Sequence, residues 1–367
     1  MVRNKWKKRL LLGMAALVAV AILVLIVCFG NGKEKDMVKI GFIMSGSMTE
    51  NGWNGMHYQG VKSACDKLGV QLLVKENVAE GKGQCEPALR QLAEEGAQMI
   101  FLSSYGYSEE VLQVVEEYPE IVFCVNSSEY HTDNMTSYFA RMYQARYLAG
   151  IIAGMRTESG RIGYVAAMPN NEVNRGISAF TLGVKRVNPD AKVIVAWTDS
   201  WDDKEKEQDA ANRLIQEKKA DVLTYHQNQA YVIEAAEAAG IDSIGYHMAT
   251  EGFSEHYLTA VVCNWELVYK QMIREFLQGK GNSQDNYWIG LEQGAVDLSP
   301  YSPAVNREIK KEVNRAKEEV LSGKDIFSGE IYDRDGTLRC GENETISDEV
   351  LLEQFDWYVE GVEFYEE

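Results

Sequence analysis

Positive charge is in short supply in this chain. Its 367 residues carry 37 Lys and Arg against 55 Asp and Glu, a formal charge of -18. Such a surface repels phosphate backbones and argues against nucleic acid as a partner. Proline is scarce, 6 residues beside 31 glycines, so the chain is neither collagen-like nor a proline-rich linker. Cys28, Cys65, Cys85, Cys124, Cys263 and Cys340 form no CxxC pattern, and the five histidines fall at no metal-binding spacing. No disulfide framework, metal site or cofactor is therefore expected. GxGxxG, GxxxxGK[ST] and GxSxG motifs are also missing, which leaves no sequence-visible catalytic residue and no indication of an enzyme. What remains is 46% hydrophobic, and the length suffices for two cores of ordinary domain size.

The N-terminus is the one basic region. Arg3, Lys5, Lys7, Lys8 and Arg9 precede an uncharged apolar run from Leu10 to Phe29. Twenty apolar residues span a hydrocarbon core about 30 Å thick, and a basic flank holds the start of the chain in the cytoplasm while the rest is exported. Residues 1–36 thus read as a membrane anchor or lipoprotein signal plus linker. Cys28 stands where a lipid-bearing cysteine would, but Val27 before it departs from the small residue that such signals carry. The expectation is a domain tethered to the extracytoplasmic face of the membrane, by residues 10–29 or by lipidated Cys28.

From Val38 onward, short apolar runs alternate with amphipathic stretches. Strands are expected at Val38–Met44, Val70–Val74, Met99–Ser103 and Ile121–Val125, with helices at Asn54–Leu68, Pro87–Glu95 and Ser108–Glu117. The pattern restarts with strands at Arg161–Ala166, Lys192–Thr198, Asp221–His226 and Asp242–Tyr246, separated by helices at Asn171–Val187, Lys204–Lys218 and Ala230–Ala239. This alternation specifies an α/β fold with parallel sheets covered on both faces, in two lobes. Residues 37–140 with about 250–295 are assigned to lobe 1, and 141–249 with about 296–340 to lobe 2. Residues 341–367 are assigned to a C-terminal packing segment. Gly150 and Gly154 read as close helix packing.

Ligands of open parallel sheets bind beyond the carboxyl ends of the strands. There the first lobe offers Trp53 and Asn54, then Tyr105, and the second offers Trp201, Gln227, Asn228 and His247. A lone loop tryptophan ordinarily plugs the rim of its own lobe. Two at equivalent ends of separate lobes point instead to a flat ring held between Trp53 and Trp201, with amides reading its edge. Each platform contributes roughly 1–3 kcal/mol to a stacked base.

These residues sit in a sequence that resembles the basic membrane protein family of type I solute-binding lipoproteins, the nucleoside and purine receptors of ATP-binding-cassette (ABC) transporters. The likeness runs from about Val38 to Gly361 and is carried by ENVAEG (Glu76–Gly81), RYLAGIIAG (Arg146–Gly154), IGYVAAMP (Ile162–Pro169), EVNRGISAFTLG (Glu172–Gly183), VNPDAKV (Val187–Val193) and IYDRDGTLR (Ile331–Arg339), which look like the purine-binding branch. The resemblance implies a type I periplasmic-binding-protein fold, two Rossmann-like lobes joined by three crossovers and closing on ligand by a hinge. It also implies stacking roles for Trp53 and Trp201, and a transporter permease as partner.

Two positions depart from the nucleoside-binding pattern. His247 and Cys263 stand where relatives carry an acidic residue and a lysine associated with ribose hydroxyls. Without those groups a buried ribose would leave hydroxyls poorly paired, at roughly 1–3 kcal/mol each. The expected ligand is therefore a free purine base rather than a nucleoside, bound by a monomer. The alternative is a membrane-anchored purine or nucleoside sensor without a transport role.

Overall fold

The computed structural model describes residues 37–50, 52–247, 252–280 and 286–366. The expected anchor and Cys28 lie outside the described residues. Two sheets organise the rest, and each is assembled from separate stretches of chain.

In the first, β1 (Lys39–Ile43) is followed by helix α1 (Trp53–Leu68), β2 (Gln71–Lys75), α2 (Cys85–Glu94), β3 (Met99–Leu102), α3 (Ser108–Val115), β4 (Val122–Asn126) and β5 (Met135–Ala140). Four residues of β1 and all four of β3 are buried. Near-continuous apolar strands of this kind fit a parallel sheet with helices on both faces. Helix α1 ends at Gly69, whose φ of 67° is the left-handed cap that glycine adopts without penalty.

The chain then crosses into α4 (Met142–Arg156) and builds the second sheet. It comprises β6 (Arg161–Ala166), α5 (Asn171–Val187), β7 (Lys192–Trp197), α6 (Lys204–Gln216), β8 (Val222–His226), α7 (Tyr231–Ala239), β9 (Asp242–His247) and β10 (Tyr257–Cys263). A second crossing leads to α8 (Trp265–Leu277) and β11 (Asn286–Ile289), and a third to β12 (Val296–Leu298) and α9 (Arg307–Leu321). A hairpin of β13 (Ile331–Tyr332) and β14 (Leu338–Cys340), then α10 (Asp348–Glu353) and β15 (Val362–Phe364), finish the fold.

The sheet orders are β11-β5-β4-β3-β1-β2 and β12-β10-β9-β8-β6-β7-β15. Within these two sheets every pairing among the described residues is parallel except that of β12 with β10. The three crossings are zipped side by side: the Arg141 amide donates to the Ile289 carbonyl at 2.8 Å, and the Asn264 amide to the Ala295 carbonyl at 2.7 Å. The crossings approach closely there: a Cβ on Gly290 would stand 2.2 Å from the Gln144 side-chain oxygen.

Several expectations change. The return to lobe 1 falls after Cys263 rather than near residue 250, since β10 pairs with β9 in the second sheet. The C-terminal segment is more than packing: β15 adds a seventh strand beside β7. Strand β5 and helix α4 were not legible in the alternation. Gly150 and Gly154 do mark close packing of α4 on α5; a Cβ on Gly150 would stand 1.9 Å from the Phe180 carbonyl. The tail aromatics Phe355, Trp357 and Tyr358 are buried, and the Tyr358 hydroxyl donates to Asn174 on α5 at 2.6 Å.

Candidate ligand-binding cleft

The carboxyl ends of both sheets face one cavity. Lobe 1 lines it with Ser45, Trp53, Glu80, Ser104, Tyr105 and Asn126. Lobe 2 supplies Glu172, Trp201, His226, Asn228 and His247. The lobes meet around it. Gly52, with φ 137° and ψ -147°, lies so close to lobe 2 that a Cβ would stand 2.2 Å from the Asn228 carbonyl. Asn171 in turn donates to Glu129 at 3.5 Å. The described conformation is a closed one.

Trp53 opens α1 and is locked in place. Its indole N–H donates to the Ser103 carbonyl at 2.8 Å, and its ring packs 4.1 Å from His57 and 5.1 Å from His247, centroid to centroid. Trp201 sits on the loop after β7, its ring centroid 6.1 Å from that of His226, and its carbonyl accepts from the Asn228 amide at 2.9 Å. Tyr105, on the turn after β3, lines the cavity together with Trp201. Burial first, then the Glu80 and Glu172 carboxylates, push its phenol pKa up.

Five of the seven residues singled out in the sequence thus line one cavity: Trp53, Tyr105, Trp201, Asn228 and His247. Asn54 and Gln227 do not. Asn54 is buried in α1, where its amide donates to Glu50 at 2.8 Å and stiffens the preceding loop. Gln227 is also buried; its oxygen accepts from the Thr198 hydroxyl and its nitrogen donates to the Ser200 carbonyl, each at 2.8 Å. Both amides brace the loops that carry the tryptophans. Cys263 is buried in β10 and does not line the cavity.

Glu80, Glu172 and His226 were not foreseen as lining residues. Glu172 lies in the first turn of α5, a position that reads as dipole compensation, and its Oε1 is 3.3 Å from His226 Nε2. Burial, with a contribution from Arg146, lowers the His226 pKa to about 4. Arg146 itself is buried beneath the cleft, 3.7 Å over the Tyr246 ring. Burial likewise holds His57 and His247 well below their ordinary value.

These shifts set a pH profile for stability. The three histidines stay neutral in the fold but take up protons when unfolded below about pH 6.5, so stability falls as pH drops from there toward 4. Glu207, buried under the Trp201 loop, acts in the opposite sense. Burial pushes it up to about 8, so its contribution is complete below its ordinary value of 4.5 and is lost as pH rises through 8. The thermal midpoint is expected to peak near neutral pH and decline on both sides, with Glu207→Gln flattening the alkaline limb. A midpoint unchanged between pH 7 and 4.5 would contradict the buried, neutral state of the histidines.

The comparisons with known proteins fit this arrangement. Residues 37–330 match the Bmp family, described as ABC transporter substrate-binding protein PnrA-like. The purine-binding protein BAB2_0673 of Brucella abortus is 34% identical over 339 residues, covering 91% of this chain and 95% of the relative. The putative ABC transporter glucose-binding protein TsgA13 of Haloferax volcanii is 33% identical over 337 residues, covering 91% and 82%. Among solved structures, a transcriptional activator of the comK gene from Bacillus halodurans superposes with a TM-score of 0.69 at 22% identity, covering 78% of this chain and 98% of that one. It shares the fold, and the two parallel-sheeted lobes are those of type I periplasmic binding proteins. With a family match over most of its length and two relatives above 30% identity, the chain belongs to the Bmp family of ABC transporter substrate-binding proteins.

Proposed function

We propose that this protein captures a purine outside the cytoplasmic membrane and delivers it to the permease of an ABC transporter. The observation that carries the reading is that Trp53 and Trp201, from opposite lobes, line one cavity. Paired indoles suit a planar heterocycle, and two stacking contacts of roughly 1–3 kcal/mol each supply much of the roughly 8 kcal/mol of a micromolar complex. The purine-binding relative supports the same ligand class.

A free base is favoured over a nucleoside. His247 is held neutral and Cys263 lies buried in a strand, so neither offers a ribose the charged hydrogen-bonding partners its hydroxyls need. Both platforms come from one chain, so a monomer is sufficient for capture. The role is binding rather than catalysis, and the apolar N-terminal run is read as the tether.

Calorimetric titration of the exported domain with adenine, guanine, hypoxanthine, xanthine, their nucleosides and glucose tests this directly. The expected result is micromolar or tighter binding of at least one base and weaker binding of its nucleoside. Binding of glucose with no response to any purine would overturn the reading, and tighter nucleoside binding would overturn the preference for a base. Uptake of the bound purine lost on deletion separates transport from a sensing role, in which ligand changes a partner's binding without uptake.

A further inference from the structure

Glu80 and Glu172 bring carboxylates to a cleft that also carries donors, among them the buried Asn126 Nδ2, unpartnered among the described residues. No lysine or arginine is among the described residues that line it, and Arg175, one helical turn beyond Glu172, is near enough to feel its charge. Both carboxylates are near enough to raise the Tyr105 phenol. His226 Nε2 stands 3.3 Å from Glu172 Oε1 and donates to that carboxylate.

Glu172 is the best placed of these groups. The side chain of Asn170 caps α5 by accepting from the Val173 amide at 2.9 Å, which fixes the first turn, and His226 holds one carboxylate oxygen from below. The carboxylate is thus presented to the cavity in a set orientation. A planar carboxylate pairs best with two parallel N–H groups. Among purine edges, that pattern is the ring N1–H beside the 2-amino group of a guanine-type base. Adenine sets an amine beside a bare ring nitrogen, and hypoxanthine sets its N1–H beside a carbonyl. Adenine thus sets a lone pair against a lone pair, and hypoxanthine, with C2–H in place of the 2-amino group, leaves one carboxylate oxygen without a donor.

We propose that Glu172 is a specificity-determining residue of this cleft, selecting a base whose edge carries two adjacent N–H donors, as guanine does, over one-donor bases. The inference rests on the purine reading above and deepens it. The same chemistry predicts an inversion: the amide of Glu172→Gln offers one donor and one acceptor, which complements adenine and hypoxanthine instead.

Quenching of tryptophan fluorescence by guanine, adenine and hypoxanthine, on wild type and Glu172→Gln, tests it. Wild type should bind guanine roughly 10-fold or more tighter than the other two, the size of effect expected for a hydrogen bond to a charged group. In Glu172→Gln the order should reverse or level. Equal binding of the three by wild type would overturn the inference and leave the purine reading standing. An unchanged order in a variant that retains the wild-type melting profile would also overturn it. If no purine quenches, the purine reading falls and this inference with it. The wild-type ranking decides the matter even if the variant does not fold.

Discussion

Replacing Gly52 by alanine is expected to abolish tight ligand capture while leaving both lobes folded. Gly52 holds φ 137° and ψ -147°, a region open to glycine and strained by about 1–3 kcal/mol for other residues. The added methyl would also stand 2.2 Å from the Asn228 carbonyl of the facing lobe, well inside contact distance, and the atom it strikes is backbone. The clash exists only when the lobes meet. The variant therefore escapes by staying open, and the cost falls on the closed, binding-competent state. The strain weakens the fold in either state, whereas the overpacking is borne only on closure and, at roughly 1–3 kcal/mol, raises the dissociation constant roughly 5- to 150-fold. Gly69→Ala is the matching control. Its φ of 67° is also left-handed, but nothing lies within 4 Å of a Cβ there, so stability should fall while affinity holds. Titration and thermal melting of both variants check this, and wild-type affinity in Gly52→Ala would show that the Gly52–Asn228 approach plays no part in binding.

Trp201→Ala should weaken binding by roughly 1–3 kcal/mol, a 5- to 150-fold rise in dissociation constant, with the fold intact. The indole is only partly buried and sits on a loop whose backbone is held independently of its side chain. The Trp201 carbonyl accepts from Asn228, and Gln227 grips Thr198 and Ser200 on the same loop. Loss of the ring therefore removes a platform and not the loop. Trp53 is a poorer choice for this test. Its ring packs on His57 and, 5.5 Å away, on Trp265, so truncation there would disturb the lobe as well as the cleft. A Trp201→Ala protein that binds with unchanged affinity would remove this indole from the site.

The legible and illegible parts of the fold divide along a physical line. Buried parallel strands such as β3 and amphipathic helices such as α5 announce themselves by local periodicity, and α5 and β6 appear with the expected bounds. Strand β5 (MTSYFA) mixes hydroxyls with apolar residues on a fully buried element, so it showed neither alternation nor an apolar run. Sheet membership was harder to read than strand position. Strand β10 looks the same in sequence whichever sheet it joins, and pairing with β9 rather than with the first lobe is decided by the path of the crossings.

The cleft follows the same division. Strand-end loops could be located from topology alone, which brought Trp53, Tyr105, Trp201, Asn228 and His247 into view. Asn54 and Gln227 looked chemically equivalent to Asn228, and only packing shows that their amides turn inward to Glu50 and to Thr198 with Ser200. Glu80 and Glu172 carry no signal in the sequence that separates them from other carboxylates, and only the facing lobe brings them to the cavity.

By itself, the sequence determined that two α/β lobes form and that each ends its strands with an indole, because periodicity and side-chain chemistry act over a few residues. Only the tertiary structure decided which polar atoms face the ligand space, that Gly52 must lack a side chain, and that two carboxylates line the cleft. Those outcomes depend on residues more than a hundred positions apart meeting across a hinge, and no local pattern encodes such a meeting.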